Sequence, residues 1–89
     1  MVKSRYTFEK MELDGTILAV PIGENAADLH AVLTVNEEAM RILELLQEDT
    51  TEESVVAQLL KEYVGKKEEI VPLVKSFIGQ LRQEGLLEE

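Results

Sequence analysis

The sequence has no cysteine, few basic residues and no long apolar run, and each absence excludes a class of protein. Without cysteine the chain can form no disulfide, thiolate metal site or cysteine nucleophile. Nine lysines and arginines against eighteen aspartates and glutamates give a formal net charge of −9. This charge argues against a nucleic-acid-binding surface, because affinity for a duplex comes largely from cations that neutralise phosphates. The charged N-terminus is not followed by the apolar segment of a signal peptide, so we expect a cytoplasmic protein without membrane contact.

The chain does contain enough apolar material to form a folded core. Its 89 residues are 45% hydrophobic, which separates it from disordered chains although 30% of the residues are charged. Single domains usually run to about 100–150 residues. The sequence therefore predicts a single domain over residues 1–89.

The first strand signal begins at Tyr6. Residues 6–9 alternate between apolar and polar, as expected for a strand with one buried face. Met11 and Leu13 continue the apolar character on the opposite parity. This change of parity predicts a β-bulge or a strand end near Lys10.

Two further strands are indicated before residue 36. Asp14-Gly15 can adopt the positive φ angles of a two-residue hairpin turn, so residues 16–22 should return antiparallel to the first strand. A polar loop at residues 23–28 follows, and apolar residues then alternate from Leu29 to Val35. The sequence thus predicts three short antiparallel strands.

From Asn36 onward the apolar period changes to that of helices. Asn36 is a suitable N-cap for a first helix, and either Thr50 or Thr51 could cap a second one. Glycines at positions 65 and 85 are suited to ending the second and third helices. The apolar stripe predicted for the third helix consists of Ile70, Val74, Phe77, Ile78 and Leu81. The predicted fold class is α+β: a three-stranded antiparallel sheet followed by three helices.

Residue types needed for catalysis are scarce. His30 is the sole imidazole, and no aspartate or glutamate stands at the spacing of a triad or of a zinc-binding HExxH motif. The serines lack the GxSxG context of an exposed nucleophile, and no glycine-rich run could cradle a phosphate. We therefore expect no catalytic residue, no metal and no cofactor.

Several segments together resemble the PqqD family. They are Leu33-Thr34-Val35-Asn36-Glu37-Glu38-Ala39 running into Ile42–Leu46, Thr51–Val56 with Leu59–Tyr63, and Phe77-Ile78 through Leu81 to Gly85-Leu86-Leu87. The resemblance covers roughly positions 12 to 87, and it lies in the combined order and spacing of the segments. It implies a small domain similar to a winged helix-turn-helix.

The resemblance also implies a function. Members of the family act as peptide chaperones in the synthesis of pyrroloquinoline quinone (PQQ) and of other ribosomally made, modified peptides. The leader segment of the precursor peptide adds as a strand beside the third β-strand, in a groove whose wall is the third helix. The domain then presents the precursor to a radical SAM enzyme or another modifying enzyme. By this resemblance the chain is a peptide-binding protein and not an enzyme.

Physical reasoning places the same groove on particular residues. An edge strand offers unpaired N–H and C=O groups to an extended peptide, and one flank of the third helix combines two apolar side chains with two cations. Such a flank would suit an amphipathic, acidic peptide. The predicted groove residues are Leu29, His30, Ala31, Val32 and Leu33 of the third strand, with Val71, Lys75, Ile78 and Arg82 of the third helix.

The residues leave two other functions open. A DNA-binding winged helix would place Lys66, Lys67, Lys75 and Arg82 of the third helix in a major groove, against the net charge of −9. An accessory or scaffold domain would instead form a homodimer by pairing its free strand edge with a second copy. For the flank of the third helix, the simpler interpretation is that Val71 and Ile78 complete the core.

Overall fold

Five strands and three helices make up the described part of the chain, which is residues 1–23, 32–63 and 67–88 of a computed structural model. The strands are β1 (Lys3–Ser4), β2 (Thr7–Leu13), β3 (Thr16–Ile22), β4 (Leu33–Val35) and β5 (Leu87–Glu88), and the helices are α1 (Glu37–Leu45), α2 (Glu52–Glu62) and α3 (Lys67–Gln83). The order β2-β3-β4 forms an antiparallel sheet followed by the three helices. The predicted α+β fold class is therefore confirmed.

The β2–β3 hairpin turns at Asp14 and Gly15, as predicted. Their φ angles of 52° and 80° are both positive, which is the requirement of a type I′ turn. Pairing runs without interruption from Leu13↔Thr16 to Thr7↔Ile22, so the predicted bulge or strand end near Lys10 is wrong. The change of apolar parity has another cause: Phe8 faces the core, whereas Met11 and Leu13 lie on the opposite, exposed face of the sheet.

The helices begin where the sequence offers cap residues. The Asn36 side chain accepts a hydrogen bond from the Ala39 N–H at 2.8 Å, and the Thr51 hydroxyl accepts one from the Ser54 N–H at 3.1 Å. Thr51, the second of the two predicted alternatives, is thus the cap of α2. In the described residues no helix is long and apolar enough to cross a membrane.

The core lies between the inner face of the sheet and the three helices. Its largest fully buried side chains are Ile42, Leu43, Leu46, Val55, Leu59, Val74, Ile78 and Leu81. From the sheet, Phe8 and Ala19 close the core, and Ile17, Leu33 and Val35 pack against it with partial exposure. All three helices therefore contribute to the core, and of the stripe predicted for α3, Ile70, Val74, Ile78 and Leu81 are buried.

A second, two-stranded sheet ties the ends of the described chain together. β1 pairs antiparallel with β5, and the Val2 and Thr50 backbones exchange two hydrogen bonds of 2.8 and 3.0 Å. These strands were not expected from the sequence, because two-residue strands show no readable alternation. Because β5 pairs with β1, it does not cover the edge of β4.

Candidate functional site

The two-residue hairpin turn determines which way each backbone amide in the sheet points. In such a hairpin the residues that flank the turn, Leu13 and Thr16, form a hydrogen-bonded pair, and hydrogen-bonded pairs then alternate with non-hydrogen-bonded ones. Counting along the unbroken register makes Phe8↔Pro21 a non-hydrogen-bonded pair, which suits a proline that has no N–H to donate. By the same alternation, Ile17 and Ala19 direct their backbone groups away from β2, toward β4.

The outer edge of β4 is therefore defined by Thr34. Val35 and Leu33 pair with Ile17 and Ala19, so these two residues of β4 make the ladder bonds to β3. Thr34 has the opposite parity, and its N–H and C=O point to the other side of the strand. Within residues 1–23, 32–63 and 67–88 no strand pairs with that side of β4. Thr34 thus presents one donor and one acceptor to an extended chain.

A groove runs between this edge and α3. Its volume is about 240 Å³. Its walls are Thr34, Val35, Asn36 and Ala39 on one side and Leu73, Ser76, Phe77 and Gln80 on the other. The four α3 residues stand at the i, i+3, i+4, i+7 spacing of a single helix face. Leu73 and Phe77 make that wall apolar, and Ser76 and Gln80 add hydrogen-bonding side chains.

A larger cavity of about 550 Å³ lies next to the groove. Asn36 and Leu73 line both hollows, so the two are neighbours. The remaining walls of this cavity, which we call the end cavity, are Glu38, Glu62, Tyr63, Glu69 and Ile70. It therefore combines an apolar and aromatic floor with carboxylates from all three helices.

Glu62 is held by hydrogen bonds from Arg41 and Gln58. Arg41 Nε and Nη2 each donate to a different oxygen of Glu62 at 2.9 Å, and the Gln58 amide donates to Glu62 at 2.8 Å. The Arg41 guanidinium lowers the pKa of Glu62 by these hydrogen bonds. This ion pair joins α1 to α2 and fixes one wall of the cavity.

The pKa of Tyr63 depends on the charged groups around the end cavity. Burial raises the pKa of its phenol, and the negative charges of Glu38, Glu62 and Glu37 raise that pKa further, while Arg41 acts in the opposite direction. Three carboxylates thus act on this hydroxyl against one guanidinium. The described walls of the cavity carry carboxylates from all three helices and no cationic side chain.

Of the predicted strand residues, Val32 and Leu33 can be placed, and Leu29, His30 and Ala31 lie outside the described residues. Val32 comes directly before β4, and its side chain is 53% exposed. The half-buried Leu33 side chain packs against the core, while its backbone bonds to β3. The Thr34 backbone, which was not singled out from the sequence, therefore carries the edge.

The predicted flank of α3 is not the one that faces β4. Val71 and Lys75 line a different hollow, shared with Val56, Ala57 and Leu60 of α2. Ile78 is 0% exposed and belongs to the core, so the prediction that it lines an open groove is wrong. Arg82 lies exposed in the last turn of α3. The groove wall is instead formed by the opposite flank.

One sequence signal could have indicated this opposite flank. At about 100° per residue, Leu73 lies off the core stripe on the side away from Lys75, and Phe77 lies between Leu73 and the stripe. Phe77 was expected at the core centre, but it is only partly buried and its ring borders the groove. An apolar residue outside the stripe marks a second contact surface.

The other edge of the main sheet is protected against pairing. β2 carries Glu9, Lys10 and Glu12, and Lys10 and Glu12 form an exposed ion pair at 3.5 Å. Charged side chains are a common way to prevent an edge strand from pairing with another chain. β4 has no charged residue among Leu33–Val35. The two edges therefore differ, and β4 is the one suited to accept a guest strand.

The described residues offer little to catalysis. Among them no group of three or more histidines, aspartates or glutamates could hold a metal ion. The described polar side chains of the groove are two amides, Asn36 and Gln80, and two hydroxyls, Thr34 and Ser76, and none of the four is titratable.

Comparisons with known proteins agree with this geometry. The family model described as "Coenzyme PQQ synthesis protein D (PqqD)" matches residues 23–87. The fold is similar to a solved structure described as "TbiB1 in Complex with the TbiA(beta) Leader Peptide", with a TM-score of 0.67 and 19% sequence identity over 97% of this chain and 94% of that chain. No curated protein matches the chain.

Proposed function

The chain belongs to the PqqD family, and from this membership we propose that it binds the leader segment of a ribosomally made precursor peptide by adding it as a strand to β4. The bound precursor is then presented to a modifying enzyme, of the radical SAM type or another type, in the synthesis of PQQ or of a related peptide product. The domain itself catalyses no step.

The observation that carries this proposal is the position of the Thr34 backbone beside the groove. Strand addition needs an unpaired donor and acceptor on a sheet edge, and specificity needs a pocket for alternate side chains of the guest. Thr34 supplies the first, and Leu73 and Phe77 of α3 supply the second. Both lie on the same side of β4.

The groove and the guest strand also match in length. Leu73 and Phe77 are four residues apart on α3, which corresponds to a rise of about 6 Å. Two same-face side chains of an extended peptide are about 6.8 Å apart. A guest residue that bonds to Thr34 can therefore direct both of its neighbours toward α3, one near Leu73 and one near Phe77.

The similar TbiB1 structure supports this arrangement, because that protein is described in complex with a leader peptide. At 19% identity its side chains differ widely from those of this chain. We therefore propose a shared way of binding peptide, with a specificity that belongs to the groove residues of this protein.

A selection from random peptides tests the proposal directly. A displayed library of short random peptides is passed over the immobilised full chain and, in parallel, over its Thr34→Pro variant, which lacks the outward N–H. We expect enrichment of peptides with two apolar residues at alternate positions on the wild type and loss of these peptides on the variant. Failure of the wild type to enrich any peptide, or equal enrichment on both proteins, would contradict strand addition at β4.

The selected peptide, defined as the strongest binder from this library, then distinguishes a guest peptide from a second copy of the chain. Homodimerisation through β4 would use the same edge. Sedimentation equilibrium over a range of concentrations should show a monomer that stays monomeric when the selected peptide binds. A dimer that the peptide dissociates would show that a second copy is the usual occupant.

A further inference from the structure

The end cavity suggests which kind of side chain the guest carries beyond its apolar pair. This inference rests on the proposed function. The cavity and the groove share Asn36 and Leu73, so a strand that occupies the groove leads into the cavity at the Asn36 end. With about 550 Å³, the cavity is larger than the groove itself and has room for a long side chain.

The register along β4 identifies the peptide residue that reaches the cavity. Antiparallel pairing is the more stable kind, and all pairs of the main sheet are antiparallel. In an antiparallel guest, the residues opposite Val35 and Leu33 point toward α3. The guest residue opposite Val35 comes first in the peptide sequence. The residue two positions before it has its side chain on the same face of the guest strand, and this side chain lies beyond Asn36, at the end cavity.

The walls of the cavity match one class of side chain. Tyr63, Ile70 and Leu73 form an apolar floor, over which a hydrocarbon stem can lie. Glu38, half-buried in the first turn of α1, and Glu69, in the first turn of α3, stand at the rim with Glu62. The Glu62 charge is balanced by Arg41, and burial followed by the negative charges of Glu38, Glu62 and Glu37 raises the pKa of the Tyr63 phenol. An apolar stem with a cationic head fits this lining.

We propose that the end cavity binds a lysine or arginine side chain of the precursor peptide, located two residues before the first of two alternating apolar residues. The cation pairs with Glu38 at the rim, and its methylene chain covers the floor formed by Tyr63 and Ile70. The guest segment is thus a basic residue, any residue, an apolar residue, any residue and a second apolar residue. An acidic leader, which the sequence favoured, would meet a repulsive field at this end.

The peptides from the selection described above give the first test. We expect lysine or arginine to be enriched at the stated position, and we expect the selected peptide to lose about tenfold or more in affinity when that residue is replaced by glutamate. Enriched peptides without a basic residue at this spacing would overturn the inference and leave strand addition standing. Absence of any enriched peptide would overturn both.

Variants of the protein give the second test, with a matched control. Glu38→Gln should weaken binding of the selected peptide about two- to fivefold, the range of a partly exposed ion pair, and the loss should shrink at high salt. Glu53→Gln is the control, because Glu53 also lies in the first turn of its helix but lines the hollow next to Val71. Replacing the peptide's basic residue by methionine should abolish the difference between wild type and Glu38→Gln. Equal effects of the two variants, or a difference that persists with the methionine peptide, would overturn the assignment.

Discussion

Replacing Thr34 by proline should remove peptide binding while leaving the domain folded. The Thr34 N–H points away from β3, so its loss breaks no bond of the β3–β4 ladder. Proline is tolerated in an edge strand when its missing donor faces outward. It also favours an extended conformation at the preceding residue, Leu33, which is already a strand residue.

The expected magnitude follows from the single donor that is lost. A guest carbonyl that has left water and finds no donor costs about 1–3 kcal/mol, which corresponds to a decrease in affinity of about 5- to 150-fold. The proline ring adds a steric conflict with the guest backbone. By contrast, we expect the free energy of unfolding to change by less than about 1 kcal/mol, because surface substitutions away from buried contacts have small effects.

Two companion variants make the experiment specific. Thr34→Val keeps the N–H and removes only the hydroxyl, so isothermal titration of the selected peptide should give an affinity close to that of the wild type. Val35→Pro removes a donor of the ladder and should instead lower stability, measured by urea denaturation. A Thr34→Pro protein that binds like the wild type, or that unfolds as readily as Val35→Pro, would refute the assigned direction of the Thr34 amide.

Three further predictions concern the helices. Phe77→Ala should weaken binding of the selected peptide about tenfold, because the Phe77 ring borders the groove. Val71→Ala, on the other flank of α3, should leave the affinity measured by titration unchanged. Similar losses of affinity in both variants would contradict the position of the groove. Ile78→Ala should cost about 2–4 kcal/mol of stability in urea because this side chain is fully buried, and a loss below about 1 kcal/mol would contradict its core position. Glu62→Gln should cost about 0.5–1 kcal/mol at neutral pH by breaking the pair with Arg41. Because Arg41 lowers the pKa of Glu62 in the folded state, the stabilisation is present above the pKa of this carboxyl in the unfolded chain and is lost as the pH falls through its folded-state pKa. A difference in urea midpoint between wild type and Glu62→Gln that persists in acid would contradict the ion pair.

The elements of the fold could be predicted from the sequence because local signals determine them. Asp14-Gly15 specifies the hairpin turn, and Asn36 and Thr51 specify helix starts, since each acts on neighbouring residues only. The two-residue strands β1 and β5 could not be predicted, because residues far apart in the chain form them. The bulge or strand end predicted near Lys10 is absent because the change of apolar parity reflects exposed apolar residues on the outer face of an unbroken strand.

The general position of the groove could be predicted from the sequence, but the α3 residues that line it could not. The sequence indicated a strand edge beside the third helix, and β4 does lie beside α3 across a groove. A helical stripe has two flanks, however, and periodicity cannot decide which flank faces the sheet and which faces the preceding helix. That choice depends on how α3 packs against α2 and the sheet, which residues far apart in the chain decide. For this reason Lys75 was assigned to the groove and Leu73 was not.

Amide hydrogen exchange of β4 tests the central claim most directly, because it reads the direction of each N–H. In the peptide-free protein the Leu33 and Val35 amides should exchange slowly, since they bond to β3, and the Thr34 amide should exchange fast. Saturation with the selected peptide should then slow exchange at Thr34 and leave its two neighbours nearly unchanged. A Thr34 amide that is already protected without peptide, or that stays fast with peptide bound, would contradict binding by strand addition at this edge.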